Sequence, residues 1–207
     1  MILENKFNIT NQVELAKVEE KLSKIKANKL FTSGFLDTLE VGTFQSLSTI
    51  HHYLFTEIYD FAGKLRDVNI AKGNFRFAPV SYLEVSLKNI EKMPQTTYYE
   101  IIEKYVEMNI AHPFREGNGR STRIWLDIIL KKELQVVVDW NKVDKDDYLL
   151  AMERSPIKDI EIKFLLQEAL TTKIDDSSIY MKGIDASYYF EGYTLYETQN
   201  IYNKEHK

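Results

Sequence analysis

The chain has 207 residues, enough for one domain with a substantial core but too few to presume two. Its 27 basic and 31 acidic residues give a net charge of -4, which argues against a nucleic-acid-binding protein that works through a general basic face. The absence of cysteine excludes disulfides and thiolate metal sites, and no stretch has the length of a signal peptide or the ~20 apolar residues of a membrane span, so we expect a cytoplasmic protein with no membrane partner.

The first part of the chain has the apolar spacing of amphipathic helices. Asn11 and Glu14 resemble a capping box, and apolar residues recur at helical spacing from residue 15 to 25. A second apolar stripe runs from residue 47 to 61, and Gly63 stands where a helix would end. Two helices are therefore predicted before residue 69.

Two adjacent histidines, His51 and His52, fall on the second predicted helix. Neighbouring positions on a helix face about 100° apart, so the two imidazoles cannot share an ion in the usual manner. We interpret them as core or surface histidines.

Residues 69–79 have a different pattern, with Gly73-Asn74 in the middle and an alternating Phe75, Arg76 and Phe77 after it. This pattern predicts two short strands around a glycine-containing turn. From the residues alone, the hairpin could serve structure or function.

The remainder of the chain again favours helices. Helical spacing is found over residues 83–90 and 98–108, and residues 124–130 are apolar nearly all round, as expected of a buried central helix. Residues 135–140 favour an extended segment, two amphipathic helices follow at 144–154 and 159–170, and 171–178 form a polar connection. A short helix at about 185–191 ends the pattern. We predict an all-α fold, a helical bundle around a central helix with a small β-hairpin, divided into a core of residues 1–178 and a C-terminal segment of residues 179–207.

The stretch from His112 to Arg123 has the densest chemistry in the chain. Pro113 cannot continue the preceding helix, so His112 stands at a helix end. Gly117 and Gly119 permit unusual backbone conformations and lead into the next helix, whose first N–H groups form an anion site.

Each polar residue of this stretch has a possible task in nucleotide chemistry. The imidazole of His112 can accept a proton from an attacking hydroxyl, and Glu116 is a hard ligand suited to Mg²⁺ carried on phosphates. Asn118, Arg120, Arg123 and the amides near the glycines can neutralise a polyphosphate.

Two other motifs are excluded by spacing. A Walker A loop would need its first glycine at Phe114 and a lysine in place of Arg120, and no His-Glu-x-x-His helix of a metalloprotease is present. A merely structural polar helix start would leave the histidine, the glutamate and the paired arginines unexplained.

The twelve residues match the Fic signature, His-x-Phe-x-Asp/Glu-Gly-Asn-Gly-Arg-x-x-Arg, at every defined position. Residues 104–134 and the hairpin near 72–79 also look like those of short stand-alone bacterial Fic proteins. This resemblance implies a helical Fic fold and transfer of AMP from ATP to a Tyr, Ser or Thr hydroxyl of a target protein, with release of pyrophosphate.

The resemblance also implies roles for individual residues. His112 would be the general base, Glu116 the Mg²⁺ ligand, and Asn118 with the amides of residues 117–120 the anion hole for the α-phosphate. Arg120 and Arg123 would hold the outer phosphates. The nucleotide-binding set predicted in this way is Lys72, Gly117, Asn118, Gly119, Arg120, Ser121 and Arg123.

Two further features concern specificity. The hairpin would be a flap that aligns the target's backbone by strand addition. Relatives that phosphorylate their target carry a lysine at the position of Gly119, so the glycine found here favours AMP transfer over kinase activity.

Near the C-terminus, Ser187, Glu191 and Gly192 resemble the inhibitory motif Ser/Thr-x-x-x-Glu-Gly/Asn of this family. Ser187 and Glu191 are four residues apart and share one helix face. A carboxylate brought to Arg123 would occupy the guanidinium that should hold the γ-phosphate, so we expect an autoinhibited enzyme. The alternative from the residues alone is a docked terminal helix without a regulatory role.

Several expectations stay open at this stage. Glu191 could also act as a base that removes AMP, with Mg²⁺, Ca²⁺ or Mn²⁺ deciding between the two activities. Tyr188 and Tyr189 are candidates for self-modification, and a homo-oligomer is possible. The alternative functions are transfer of another nucleotidyl or phosphate-linked group, and a repressed nucleotide-binding regulatory protein.

Overall fold

The structure is a computed structural model that describes residues 2–72 and 75–190. In this part of the chain the secondary structure is mainly helical, as predicted, and two short antiparallel strand pairs accompany the helices. The helices are α1 (Gln12–Thr32), α2 (Phe44–Phe55), α3 (Val80–Glu91), α4 (Tyr98–Ala111), α5 (Asn118–Leu134), α6 (Lys145–Arg154), α7 (Ile160–Glu168) and α8 (Ser177–Phe190). The strands are β1 (Ala71–Lys72), β2 (Phe75–Arg76), β3 (Val137–Val138) and β4 (Leu170–Thr171).

Helix α5 is the centre of the bundle, which confirms the prediction for residues 124–130. It packs against α2, α4 and α8, and its side chains from Ile124 to Leu130 are all buried. Trp125 is fully buried, and its indole N–H donates to the carbonyl of Thr43 at 2.9 Å. Because α5 begins with the motif, the bundle core fixes the position of the candidate site.

Helix α1 begins where the sequence predicts, since the side chain of Asn11 accepts from the amides of Val13 and Glu14. Of the predicted apolar stripe, however, Leu15 is buried while Val18, Leu22 and Ile25 are half-buried, and the buried face is partly polar. That face consists of Leu15, Glu19, Glu20, Ser23, Lys24, Ala27 and Leu30. The apolar pattern missed these charged residues because they are paired inside the protein.

The predicted hairpin is present, with Ala71 opposite Arg76 and Lys72 opposite Phe75. Its predicted turn residues, 73 and 74, lie outside the described residues. The predicted extended segment near residue 137 forms β3, which pairs with β4. Residues 170 and 171 therefore belong to a strand, where a helix end and a connection were expected.

The last helix is longer than predicted. Helix α8 begins at Ser177, whereas a start near residue 185 was expected, and the predicted division between residues 178 and 179 falls inside it. The polar first turn was misread as a connection because packing against α1 and α5, not local composition, stabilises this helix. The predicted end at Glu191 and Gly192 lies outside the described residues.

None of the described helices has both the length and the apolar character needed to cross a membrane.

Candidate active site

The loop between α4 and α5 is fixed at its first residue by an unusual backbone conformation. His112 follows the last turn of α4 with φ of 48°, in the left-handed region, and its amide donates to the carbonyl of Met108 at 3.0 Å. Pro113 cannot donate a helical hydrogen bond, so the chain turns away here. The predicted position of His112 at a helix end is confirmed.

Gly117 closes the loop against α2. Its φ is 75°, and a Cβ at this position would stand 2.4 Å from the ring of Phe55. Only glycine fits both the left-handed conformation and the close ring. Gly119, by contrast, lies in the first turn of α5 and has no positive φ, so the flexibility expected of it is not used.

His51 of α2 supports the loop through a hydrogen bond to its backbone, and the sequence had assigned it no role in the site. Its Nδ1 accepts from the amide of Gly63 at 2.8 Å, so Nε2 carries the proton and donates to the carbonyl of Glu116 at 2.8 Å. Burial lowers the pKa of His51 to about 3, which keeps the ring neutral. The prediction of core or surface histidines is confirmed, since His51 is buried and His52 is exposed.

Asn118 shapes the loop with its side chain. The carboxamide accepts from the amide of Phe114 at 2.9 Å and donates to the carbonyl of Phe114 at 2.8 Å. Its carboxamide is therefore occupied by hydrogen bonds within the loop. No described side chain caps the start of α5. The first backbone N–H groups of the helix have no acceptors within the helix. The Gly117 amide donates to Glu116, and an anion site at the amides of residues 118–120 stays a prediction.

Ser121, predicted to bind the nucleotide, is buried in the structure. Its hydroxyl donates to the carbonyl of Gly117 at 2.9 Å. The side chain therefore stabilises the first turn of α5, and its direct contact with a nucleotide stays a prediction.

His112 is held beneath the root of the hairpin. Its ring stacks on Phe77 with centroids 3.7 Å apart and planes inclined by 20°. Burial lowers the pKa of His112 to about 3, the carbonyl of Asn109 opposes this change, and the positive charges of Arg66 and Lys72 add to it. The imidazole is therefore neutral at neutral pH, which is the protonation state that a general base requires.

Arg66 ties the hairpin to the motif and was missed by the sequence reasoning. It is 2 % exposed, and its backbone amide donates to the carbonyl of Pro113 at 2.9 Å. Its guanidinium donates to the carbonyls of Val68, Ala78, Ala111 and His112. The hairpin root and the end of α4 are thus held by one side chain, although nothing in the local sequence distinguishes this arginine from a surface residue.

Lys72, predicted to touch the nucleotide, lies exposed on β1, and its charge acts on the imidazole of His112. The structure therefore brings Lys72 to the rim of the site.

Glu116 lies at the mouth of the loop. One carboxylate oxygen, Oε1, accepts from the amide of Gly117 at 2.9 Å and from Nη2 of Arg120 at 2.7 Å. The side chain is 39 % exposed. Within the described residues no three His, Asp or Glu side chains could hold an ion together. A single open carboxylate fits Mg²⁺ that arrives with phosphates and keeps part of its water shell.

Arg120 is buried between two carboxylates. Its Nη2 binds Glu116, and its Nη1 binds Glu19 of α1 and also donates to the hydroxyl of Tyr188 at 2.9 Å. The hydroxyl of Tyr59 donates to the other oxygen of Glu19. Burial raises the pKa of Glu19, while the charge of Arg120 lowers it. Sequence reasoning missed Glu19; its signal was a charge one helical turn after Leu15 on the apolar face.

Arg123 lies in an aromatic environment. Its guanidinium carbon is 4.5, 5.0 and 4.7 Å from the ring centroids of Trp140, Tyr148 and Phe190. Its Nη1 donates to the hydroxyl of Ser187, which in turn donates to the carbonyl of Gly183 at 2.9 Å. The structure therefore brings Ser187 to Arg123. Glu191 and Gly192, the other members of the predicted inhibitory motif, lie outside the described residues.

The two candidate tyrosines for self-modification differ in exposure. Tyr188 is 1 % exposed, and its hydroxyl contacts Ser23 and Arg120, whereas Tyr189 is 52 % exposed. Burial raises the pKa of Tyr188. In the docked position of α8, the hydroxyl of Tyr188 is not available for modification, and only Tyr189 reaches the surface.

A neutral imidazole at the end of one helix, a helix start without a side-chain cap and a partly exposed carboxylate between them therefore lie together on a helical bundle. Residues 42–130, which include the whole of the motif, match the model of the Fic/DOC family.

Curated relatives agree with this family. The chain is 28% identical over 166 residues to the probable protein adenylyltransferase y4lH of Sinorhizobium fredii, an alignment that covers 74% of this chain and 83% of that protein. It is also 28% identical over 165 residues to the protein adenylyltransferase VbhT of Bartonella schoenbuchensis, covering 70% of this chain. The chain spans only about a third of VbhT, since the alignment covers 32% of it.

Solved structures agree with the fold. The BepC protein of Bartonella tribocorum with bound AMPPNP superposes with a TM-score of 0.66 at 19% identity, covering 83% of this chain and 93% of that chain. The Fic domain of Bep8 from a Bartonella species gives a TM-score of 0.68 at 17% identity, covering 84% and 92%. The predicted Fic fold is confirmed.

Proposed function

We propose that this protein is a protein adenylyltransferase, which transfers AMP from ATP to a Tyr, Ser or Thr hydroxyl of a target protein. The observation that carries the proposal is the placement of a neutral His112 one loop away from the uncapped start of α5. Two curated relatives carry the name protein adenylyltransferase, and a Fic-fold neighbour binds the ATP analogue AMPPNP.

In the proposed reaction each of these groups has one role. The target hydroxyl attacks the α-phosphorus while His112 takes its proton, the bond from the α-phosphorus to the bridging oxygen breaks, and pyrophosphate leaves. The amides at the start of α5 stabilise the charge on the α-phosphate, and Arg123 binds an outer phosphate. Mg²⁺ on the phosphates, held by Glu116, would neutralise the charge that develops on the leaving group.

The hairpin is the proposed docking element for the target. It has only two strands, so an extended target segment can pair with a free edge by strand addition. Phe77 at its root covers His112, so strand addition would place a target hydroxyl near the base. Because ATP is the proposed donor, we propose that the reaction takes place in the cytoplasm.

We propose further that α8 inhibits the enzyme. The contact between Ser187 and Arg123 supports this, because it brings the first residue of the inhibitory motif to the arginine that would bind the γ-phosphate. Glu191 would complete the contact by pairing with Arg123. A tenfold change in activity requires a shift of only about 1.4 kcal/mol in the docking equilibrium of the helix.

Labelled ATP and a cell lysate test both proposals. Glu191→Gly should transfer label to a lysate protein or to the chain itself more strongly than the wild type, and His112→Ala in the same background should lose about 10²- to 10⁴-fold. Unchanged labelling in Glu191→Gly with loss in His112→Ala would contradict inhibition but not transfer. Mass spectrometry of the labelled band identifies the target and shows whether Tyr188 or Tyr189 carries AMP.

Two alternatives have their own tests. Competition among ATP, UTP, GTP and CTP in the same assay separates AMP transfer from transfer of another nucleotidyl group. A repressed nucleotide-binding regulatory protein would show no turnover even after truncation before Asp185. Size-exclusion chromatography with light scattering tests whether the chain forms a homo-oligomer.

Removal of AMP by Glu191 is a separate proposal. AMP-modified protein incubated with wild type should lose AMP faster than with Glu191→Gly, and exchange of Mg²⁺ for Ca²⁺ or Mn²⁺ should alter the balance with transfer. Equal rates of AMP loss would exclude this role for Glu191.

A further inference from the structure

The first helix contributes a buried carboxylate to the site. Glu19 is 7 % exposed, and its two oxygens have different partners. One accepts from Nη1 of Arg120, and the other accepts from the hydroxyl of Tyr59. Glu19 lies outside the signature and outside residues 42–130, which match the family model.

Arg120 connects this carboxylate to Glu116. The guanidinium is 1 % exposed, with Glu19 at one terminal nitrogen and Glu116 at the other, 2.7 Å from Oε1. The side chains of Tyr59, Glu19, Arg120 and Glu116 therefore form one continuous chain of hydrogen bonds from the core to the mouth of the loop.

The charges of this chain are unequal. One guanidinium and two carboxylates leave a net negative charge, and Glu116 is the carboxylate at the surface, with 39 % of its side chain exposed. We propose, on the basis of the proposed function, that Glu19 is a positioning residue: it fixes Arg120 and neutralises its charge, so that Glu116 keeps its own charge for the cation that accompanies the nucleotide.

The electrostatics agree with this arrangement. Burial raises the pKa of Glu19, the positive charge of Arg120 lowers it and the negative charge of Glu116 raises it, so the three groups act on one another. Without the charge of Glu19, the positive charge of Arg120 would act more strongly on Glu116. This pair of opposite charges attracts a cation less, and a guanidinium with one fewer carboxylate attracts a phosphate more.

A positioning role and a structural role of Glu19 differ in how nucleotide binding depends on Mg²⁺. A positioning role predicts that loss of Glu19 weakens nucleotide binding only when Mg²⁺ is present. A structural role predicts weaker binding with and without the metal, because a distorted loop would harm every contact.

The experiment is calorimetric titration of the full chain with AMPPNP in excess Mg²⁺ and in EDTA. In Glu19→Gln, the affinity in Mg²⁺ should fall by about 10- to 100-fold, as for other residues that orient metal ligands, while the affinity in EDTA is unchanged or higher. Glu19→Asp keeps a carboxylate at this position, so it should retain part of the wild-type affinity for AMPPNP in Mg²⁺.

Glu20→Gln is the matched control. Glu20 is the next residue of α1, is 0 % exposed and pairs with Lys24 at 2.8 Å. The Glu20→Gln variant loses the same charge from the same helix. The ratio of its affinity for AMPPNP in Mg²⁺ to that in EDTA should nevertheless stay at the wild-type value. Tyr59→Phe removes one hydrogen bond from Glu19 and no charge, so it should shift the ratio in the same direction by less.

The outcomes are distinguishable. If Glu19→Gln leaves the ratio of AMPPNP affinities in Mg²⁺ and in EDTA unchanged, whether or not both affinities fall, the positioning role is overturned while the proposed function stands. If the wild type and Glu116→Gln both bind AMPPNP without a Mg²⁺ effect, the metal role of Glu116 is wrong and this proposal falls with it. If circular dichroism shows that Glu19→Gln does not fold, Glu19→Asp and Tyr59→Phe decide by the same ratio.

Discussion

The two arginines of the motif lie three residues apart on α5 but have different surroundings. Arg120 binds the carboxylates of Glu19 and Glu116, whereas Arg123 is surrounded by aromatic rings and binds a single hydroxyl, that of Ser187. Within residues 2–72 and 75–190, no carboxylate pairs with Arg123. The charge of Arg120 is thus neutralised by the core, while that of Arg123 is stabilised by ring faces and remains able to attract an anion.

Helix α8 contacts both regions through consecutive residues. Ser187 accepts from Arg123, and Tyr188 accepts from Arg120. Side chains at neighbouring helix positions diverge by about 100°, so the two residues reach different sides of the start of α5. The difference between the arginines therefore predicts that α8 controls phosphate binding mainly through Arg123.

The largest expected effect comes from replacing each arginine by methionine. Arg120→Met leaves Glu19 buried without its cation, so the free energy of unfolding should fall by about 3–5 kcal/mol. Arg123→Met leaves no buried carboxylate without its paired cation and loses the hydrogen bond to Ser187 together with contacts to aromatic rings, which should cost about 1.5–3 kcal/mol. Urea denaturation measures both, and equal losses would contradict the proposed difference between the two regions.

The next effect concerns Asp127, one turn beyond Arg123 on α5. Burial raises the pKa of Asp127 to about 7, and the charge of Arg123 opposes this rise. The folded protein then holds a proton that the unfolded chain releases near pH ~3.9, so stability should fall as the pH rises from about 4 to 7, by up to about 1.4 kcal/mol per pH unit.

Urea denaturation across this pH range checks the expectation in three variants. Asp127→Asn should remove the slope, and Arg123→Met should extend the fall to higher pH because the opposing charge is gone. Asp175→Asn is the control, since Asp175 is a surface carboxylate with 80 % of its side chain exposed. An unchanged slope in Asp127→Asn would show that another group titrates.

Sequence reasoning predicted the parts of the site that local chemistry determines. Pro113 ends α4, Gly117 turns the chain and the apolar run after Arg123 forms the central helix, because each depends on residues close in sequence. Glu19 was missed because a charged helix residue is normally read as exposed, and its partner Arg120 is 101 residues away. Long-range pairs of this kind leave no local pattern.

The same limit applies to α8 and to Arg66. The first turn of α8 is polar and was predicted to be a connection, since only packing against α1 and α5 makes it helical. Arg66 binds four backbone carbonyls that folding brings together, and backbone carbonyls carry no sequence signal.

Ser187→Ala tests the Arg123 side of the comparison. The substitution removes the hydroxyl that accepts from Arg123, and a hydrogen bond to a charged group contributes about 1.5–3 kcal/mol. Docking of α8 should weaken, and AMP transfer measured with labelled ATP should rise by about tenfold or more. Transfer that stays at the wild-type level would show that this contact does not restrain the enzyme. Ser178→Ala, on an exposed part of α8, is the control.

Tyr188→Phe tests the Arg120 side and should have the smallest effect. The ring stays buried and keeps its position near the guanidinium, 4.7 Å from the Arg120 carbon, while the hydroxyl contacts to Arg120 and Ser23 are lost. The Nη1 of Arg120 that donates to this hydroxyl also binds Glu19, so its loss leaves the guanidinium paired and should cost only about 1 kcal/mol, and transfer should rise roughly fivefold. Because Glu19 still holds Arg120, the Mg²⁺ dependence of AMPPNP binding should not change. A larger activation than in Ser187→Ala would place the main restraint at Arg120 and reverse the comparison.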